Sequence, residues 1–405
     1  MRFSMIPAFG VLTLVSLPMT GGPAARGDEY SVTGLQLPGY YGGALTALSD
    51  KGQVAGYSWG KRSGNEGTFA TVSNYEGKWL GSFGTALGGG ASYAYGINAA
   101  GQVTGEHVAA DGTTHAFLSG VYGWKFKDLG GIGRFDNSEG MAVNASGQVA
   151  GIAFVDWGVQ HAFLSGPNGG ALRDIGTLGG ADITVTGVNA SGQVTGTSST
   201  IDSSAGHAFL SAPNGGPLRD LGTLGGISST ARGVNDAGQV VGSYQLADGR
   251  VRAFVSAPGG GSLQDLGEFA GDGSRATSIN NSGHIVGNYP GGAFLYAALT
   301  TLPSLNANSY PNTHAYGSAV AGMINLNTLI DPSSGIYLGG ASAISDDGHI
   351  LAIGYSKHDQ FSYYLLTPDF APASVVPTPS GLVLLGTGLA GLLGWGYRRR
   401  AEARV

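Results

Sequence analysis

Two residue types recur in settings that could do chemistry. The first is a histidine, in His115-Ala-Phe-Leu, His161-Ala-Phe-Leu and His207-Ala-Phe-Leu, with Thr68, Arg252, Gly292 and Ser362 at the matching place in other copies. The second is an aspartate ahead of Leu/Ile-Gly: Asp128, Asp174, Asp220 and Asp265. Imidazole and carboxylate are donors of a zinc-class site, which needs its ligands about 2 Å from one ion. Carboxylate pairs suit glycoside-type acid–base work only when they converge to about 5–10 Å. Positions that repeat once per structural unit meet neither demand, because equivalent places lie on separate sheets. The expectation is therefore structural: the His bonds at a strand edge or between units, the Asp bonds a neighbouring turn, and no metal or other cofactor is required. His314, His349 and His358 show no pairing at ligand spacing.

A second acidic set (Glu66, Asp111, Asp156, Asp202, Asp248, Asp359) falls between strand-like runs and lacks the dense pattern of a calcium loop, so turn formation explains it, with weak surface calcium left open. Asn144-Ala-Ser, Asn189-Ala-Ser and Asn280-Asn-Ser sit on tight hairpins and read as turn chemistry rather than glycosylation sites. The chain has no nucleophile elbow, phosphate loop or His-Glu-x-x-His. A non-enzyme is expected.

The elements that must carry these residues follow from one stretch, Gly187-Val-Asn-Ala-Ser-Gly-Gln-Val-Thr-Gly196, which occurs seven times with small changes. An apolar lead, Asn or Ser, two small or polar residues, Gly and an alternating run predict a hairpin. The loop glycines are Gly52, Gly101, Gly147, Gly192, Gly238, Gly283 and Gly348, spaced by 49, 46, 45, 46, 45 and 65. A period near 45 fits a propeller blade. Each unit holds four strand-like pieces; in the fourth these are 183–189, 193–199, 206–211 and 217–222. The fold class is all-β, a seven-bladed β-propeller with four-stranded blades. Tyr30–Leu37 is a strand without a preceding blade, and the last copy stops at its third strand, 361–366, so the N-terminal strand closes the ring. The long gap is an insertion over 303–322, or a degenerate blade remnant around Thr313-His-Ala-Tyr-Gly317.

Both ends read as targeting. Residues 1–27 have Arg2, an apolar run from Ile6 to Leu17 and small residues to Gly27, the pattern of a signal peptide cut after Ala24 or Gly27. The propeller occupies 28–370, a Pro-rich linker 371–380, and 381–405 is an apolar segment ending in Arg398-Arg399-Arg400. Apolar helix before cations is a membrane-anchoring order. With Val376-Pro377-Thr378-Pro379 ahead of it, this tail resembles the PEP-CTERM sorting signal of Gram-negative bacteria, with Thr378 where the family has Glu. The resemblance implies transient inner-membrane anchoring and handling by an exosortase-type protease, beside signal peptidase at the other end. The His-Ala-Phe-Leu strands, with Asp-Ile/Leu-Gly-Thr-Leu-Gly-Gly at 174–180 and 220–226, resemble the HAF-repeat extracellular proteins over roughly Tyr30 to Pro368. That implies an exported bacterial repeat protein and supplies no reaction.

Charge excludes one class of partner. A formal net charge of −6, with no basic run before the extreme C-terminus, argues against nucleic acid. With no Cys among 405 residues, stability rests on packing. Loops between second and third strands share a face with loops between blades. That face is expected to present Trp59, Trp157, Tyr244 and Tyr289 with Tyr40, Tyr41, Tyr93 and Phe135, aromatic rings suited to sugars or an apolar protein patch. The function expected is a cell-surface or matrix protein binding exopolysaccharide or a surface protein. The rivals are a polysaccharide lyase or hydrolase, marked by a central pocket of carboxylates or a His/Tyr/Arg cluster, and a purely structural scaffold.

Overall fold

A computed structural model describes residues 30–37, 42–62, 65–73, 79–83, 90–123, 125–267, 273–298, 313–316, 319–356 and 361–369. The signal peptide, linker and tail, with Tyr40, Tyr41, His358 and Asp359, lie outside them. Among the described residues no helix is long and apolar enough to cross a membrane.

Seven antiparallel sheets form a β-propeller. Blades 1 to 6 span 42–83, 92–128, 138–176, 179–220, 228–265 and 275–325; blade 7 combines 337–368 with the strand Tyr30–Leu35. Each hairpin between first and second strands closes on its glycine, whose φ lies between 68° and 86° in all seven. The Asn before it accepts N–H bonds from residues two and four places on, as Asn189 Oδ1 does from Ser191 (3.1 Å) and Gln193 (3.0 Å). The ring closes as expected: Tyr30–Leu35 pairs antiparallel with Tyr363–Pro368 as the fourth strand of blade 7. The long gap belongs to blade 6. Thr313–Tyr316 hairpins onto Ala319–Asn325 as a fifth, outer strand, so there is no eighth blade.

The His-Ala-Phe-Leu strand explains how blades pack. Alternation sends Phe to one face of the sheet and Ala and Leu to the other. Phe209 packs with Ala150, Ile152, Ala162 and Leu164 of blade 3, whereas Ala208 and Leu210 pack with Ala231, Val240 and Phe254 of blade 5. Phe117, Phe163, Phe254 and Phe294 repeat the arrangement, and all five rings are fully buried. Polar stitches follow the same steps. Ser92, Ser138, Ser229 and Ser274 each accept the N–H of the strand-three Ala in the preceding blade at 2.9–3.0 Å.

All seven first strands carry a β-bulge at the same register, with Thr46, Tyr95, Met141, Thr186, Arg232, Thr277 and Ser342 as the extra residue. In six blades a second-strand glycine lies opposite, and its close approach explains the residue: a Cβ on Gly196 would stand 1.9 Å from the Thr184 carbonyl oxygen. These seven bulge residues line one central channel.

Candidate functional site

The channel has two unlike mouths. At the hairpin mouth each Asn side chain donates to the backbone of the next blade: Asn98 to Asn144, Asn144 to Asn189, Asn189 to Asn235, Asn235 to Asn280 and Asn280 to Ser345, all at 2.9–3.2 Å. Beside this belt the carboxylates of Asp236 and Asp346 accept backbone N–H groups from the preceding blades, and Asn281 bridges them at 2.9 and 2.7 Å. Asp50 joins the same mouth, and burial, then Asp346, raises its pKa. These carboxylates are tied into the backbone network that links the blades.

The opposite mouth is aromatic and charged. A ladder of rings runs inward from Trp59, 43% exposed, to Tyr57 (6.4 Å), Tyr93 (5.0 Å) and Tyr95 (6.4 Å). The Tyr95 hydroxyl donates to Glu106 Oε1 at 2.8 Å. Burial and that bond push the Tyr95 phenol up; burial pushes Glu106 up against the bond. Glu139, on the neighbouring blade, is raised to about 7 by burial and then by Glu106. Arg232 lines the channel from blade 5, its pKa depressed by burial and secondarily by Arg275. Tyr95 and Arg232 are not legible in the sequence as channel residues, because each is the extra residue of a bulge that turns it toward the axis, and Glu106 and Glu139 recur in no other blade.

Glu139 gives a pH-dependent prediction. Its folded pKa stands above the ordinary 4.5. The proton-bound form therefore stabilises the fold below about pH 4.5, and that contribution drains away as pH rises through about 7. Glu139→Gln is expected to be more stable than the parent at pH 8 by on the order of 1–2 kcal/mol, allowing for screening by the water that reaches it, and level with it near pH 4. Urea denaturation at the two pH values measures this.

The predicted aromatic residues divide. Trp157 is 75% exposed, edge-on to Phe135 at 4.8 Å, with Arg134 over the Phe135 ring. Trp59 forms the outer rung of the ladder, and Tyr93 an inner one between Tyr57 and Tyr95. Tyr244 and Tyr289 are corrected: both are buried in inter-blade clusters. Second strands here are covered on both faces, so a late aromatic need not face solvent. Tyr355 and Phe361 of blade 7, 50% and 53% exposed and edge-on at 6.0 Å, are an aromatic pair the sequence reading missed.

The repeated His and Asp are partners within a blade. His161 Nδ1 meets Asp174 at 2.8 Å, His207 Nδ1 meets Asp220 at 2.8 Å and His115 Nδ1 meets Asp128 at 3.0 Å; Arg252 replaces His in blade 5 and donates to Asp265 at 3.1 Å. Each Asp also accepts the N–H two residues on, as Asp174 does from Gly176 (2.8 Å), which is the turn role expected. Asp111, Asp156 and Asp248 likewise accept nearby backbone N–H groups.

The fold and its channel define a β-propeller. No family model and no curated protein matches this sequence. Among solved structures it is similar to the β-propeller domain of the Trilobed protease from Pyrococcus furiosus, at 8% identity over 80% of this chain and 93% of that one, TM-score 0.50. It is also similar to YCF48 bound to D1 peptide (10%, 86% and 97%, 0.47) and to TolB from Acinetobacter baumannii (9%, 78% and 63%, 0.38), so the chain spans 63% of the length of that TolB. At such identities the likeness speaks for the fold alone.

Proposed function

We propose that the chain is an exported, non-catalytic surface or matrix protein that binds extracellular polysaccharide through the aromatic mouth of its propeller. One observation carries the reading. Of ten exposed large apolar side chains among the described residues, eight (Trp59, Trp157, Ile201, Leu224, Ile227, Tyr337, Tyr355 and Phe361) belong to loops between second and third strands, loops between blades, or the strand ends beside them. Strand direction puts these on one side of the disc. Only Val121 and Tyr122 lie on the other. Stacking faces beside hydrogen-bonding carboxylates and arginines suit sugar rings. Export and sorting rest on the terminal segments: removal of 1–27 by signal peptidase, then transient anchoring through 381–405, with Val376, Pro377, Pro379 and Arg398–Arg400 read by an exosortase-type protease.

The purified chain titrated with the host's own exopolysaccharide is expected to bind without generating new reducing ends. Trp157→Ala is expected to weaken binding about two- to tenfold, and Val121→Ala on the opposite face to leave it unchanged. Equal effects from both substitutions would remove the aromatic mouth as the binding face. A second reading is favoured by the Tyr95–Glu106–Glu139 group, since a carboxyl titrating near neutrality suits a general acid. New reducing or unsaturated ends, abolished by Glu139→Gln, would make the protein a polysaccharide-active enzyme.

A further inference from the structure

Blade 2 differs from its neighbours in one respect. Its second strand places His107 directly across from His115 on the third, and Asp128 follows on the fourth. The corresponding second-strand residues elsewhere are Ser58, Ala153, Ser198, Tyr244, Tyr289 and Gly354. His107 is 2% exposed, and among the described residues neither of its ring nitrogens makes an aligned hydrogen bond, the carboxylate of Asp128 standing 3.4 Å from Nε2. A buried imidazole so poorly satisfied is costly and calls for an explanation.

We propose that His107, His115 and Asp128 form a site for a divalent transition-metal ion of the zinc class. His107 Nε2 stands 3.4 Å from Asp128 Oδ2, and His115 Nδ1 3.0 Å from the same oxygen. One ligand atom from each of the three residues lies within 4.8 Å of the others. Ligands at about 2.0–2.1 Å around a tetrahedral ion are separated by roughly 3.4 Å. An ion therefore fits with small shifts, replacing the direct His115–Asp128 contact. The surroundings match what orients metal-bound histidine. His115 Nε2 is 3.0 Å from Thr113 Oγ1, whose hydroxyl is 2.6 Å from Asp111 Oδ1, and Asp136 is 3.8 Å from the same ring nitrogen. Two imidazoles select zinc-class ions over calcium or magnesium. Asp128 is at the surface, so the ion enters from solvent and keeps a solvent-facing fourth position.

The separation of equivalent histidines between blades still holds; this site draws its ligands from three adjacent strands of one sheet. The test is titration of the full chain with Co2+ and Zn2+, reading the visible absorption of tetrahedral Co2+ and calorimetric stoichiometry. One ion per chain is expected, with Tm rising on addition of Zn2+. His107→Leu and Asp128→Asn are each expected to weaken binding a hundredfold or more, while His161→Ala, in the two-residue pair of blade 3, leaves it unchanged. Removing a buried imidazole that makes no aligned hydrogen bond should leave the metal-free Tm of His107→Leu equal to or above that of the parent, which separates lost binding from lost fold. Absence of a stoichiometric ion, undiminished binding in His107→Leu, or equal loss in His161→Ala would overturn the site.

Discussion

Phe209→Ala is expected to destabilise the propeller by about 3–5 kcal/mol, the range for deleting a fully buried aromatic ring. The ring has no exposure and touches Ala150, Ala162 and Leu164 across the interface between blades 3 and 4. The neighbouring Leu164, Ile152 and Ile183 are themselves buried in the same cluster and held by their own sheets, so the cavity closes only in part. The loss falls between blades rather than within one, and the denaturant transition of Phe209→Ala should therefore broaden as well as shift. Equilibrium unfolding in guanidinium measures both; a shift below 1 kcal/mol would mean that the motif's Phe does not fasten neighbouring blades.

Deleting residues 30–36 is expected to be worse still. The lost strand buries Tyr30 and Leu35, whose side chains alone contribute roughly 3–6 kcal/mol. Tyr30 also donates its N–H to Leu329 at 3.1 Å and belongs to the cluster shared by blades 6 and 7. The deletion uncovers the edge of Ser362–Pro368, a row of unpaired backbone groups open to another chain. A lower Tm together with concentration-dependent association, seen by light scattering, is the outcome that fits. A truncated protein melting within a degree or two of the parent, and still monomeric, would show that closure contributes little. The polar belt does not compensate at this seam: its Asn positions are Ser345 in blade 7 and Ser49 in blade 1, and those hydroxyls accept from their own turns.

The sequence made the blades readable because their determinants are local and repeated. Asn, Gly and the strand after them fix each hairpin, and seven copies fix the period. The incomplete last blade and the orphan strand at Tyr30 made closure readable for the same reason. What escaped were features belonging to one blade only. His107 occupies a place that is Ser, Ala, Tyr or Gly in the other blades, so no repeat analysis draws the eye to it. Tyr244 and Tyr289 were misplaced because a strand buried on both faces carries no alternation to say which way a ring turns. The meeting of Tyr95 with Glu106 depends on a bulge, which moves facing without leaving a mark in composition.

That bulge has an evolutionary consequence. The extra residue of each first strand projects into the channel, whereas the sheet is held by its neighbours on either side. Thr, Tyr, Met, Thr, Arg, Thr and Ser occupy the seven places within one unbroken architecture. The three threonines tie their blade to the backbone of the next one, at Ala94, Ala231 and Ala341, whereas Tyr95 and Arg232 carry chemistry that no other blade repeats. Change at those two places retunes what the lumen accepts while the repeat that copies the blade stays intact.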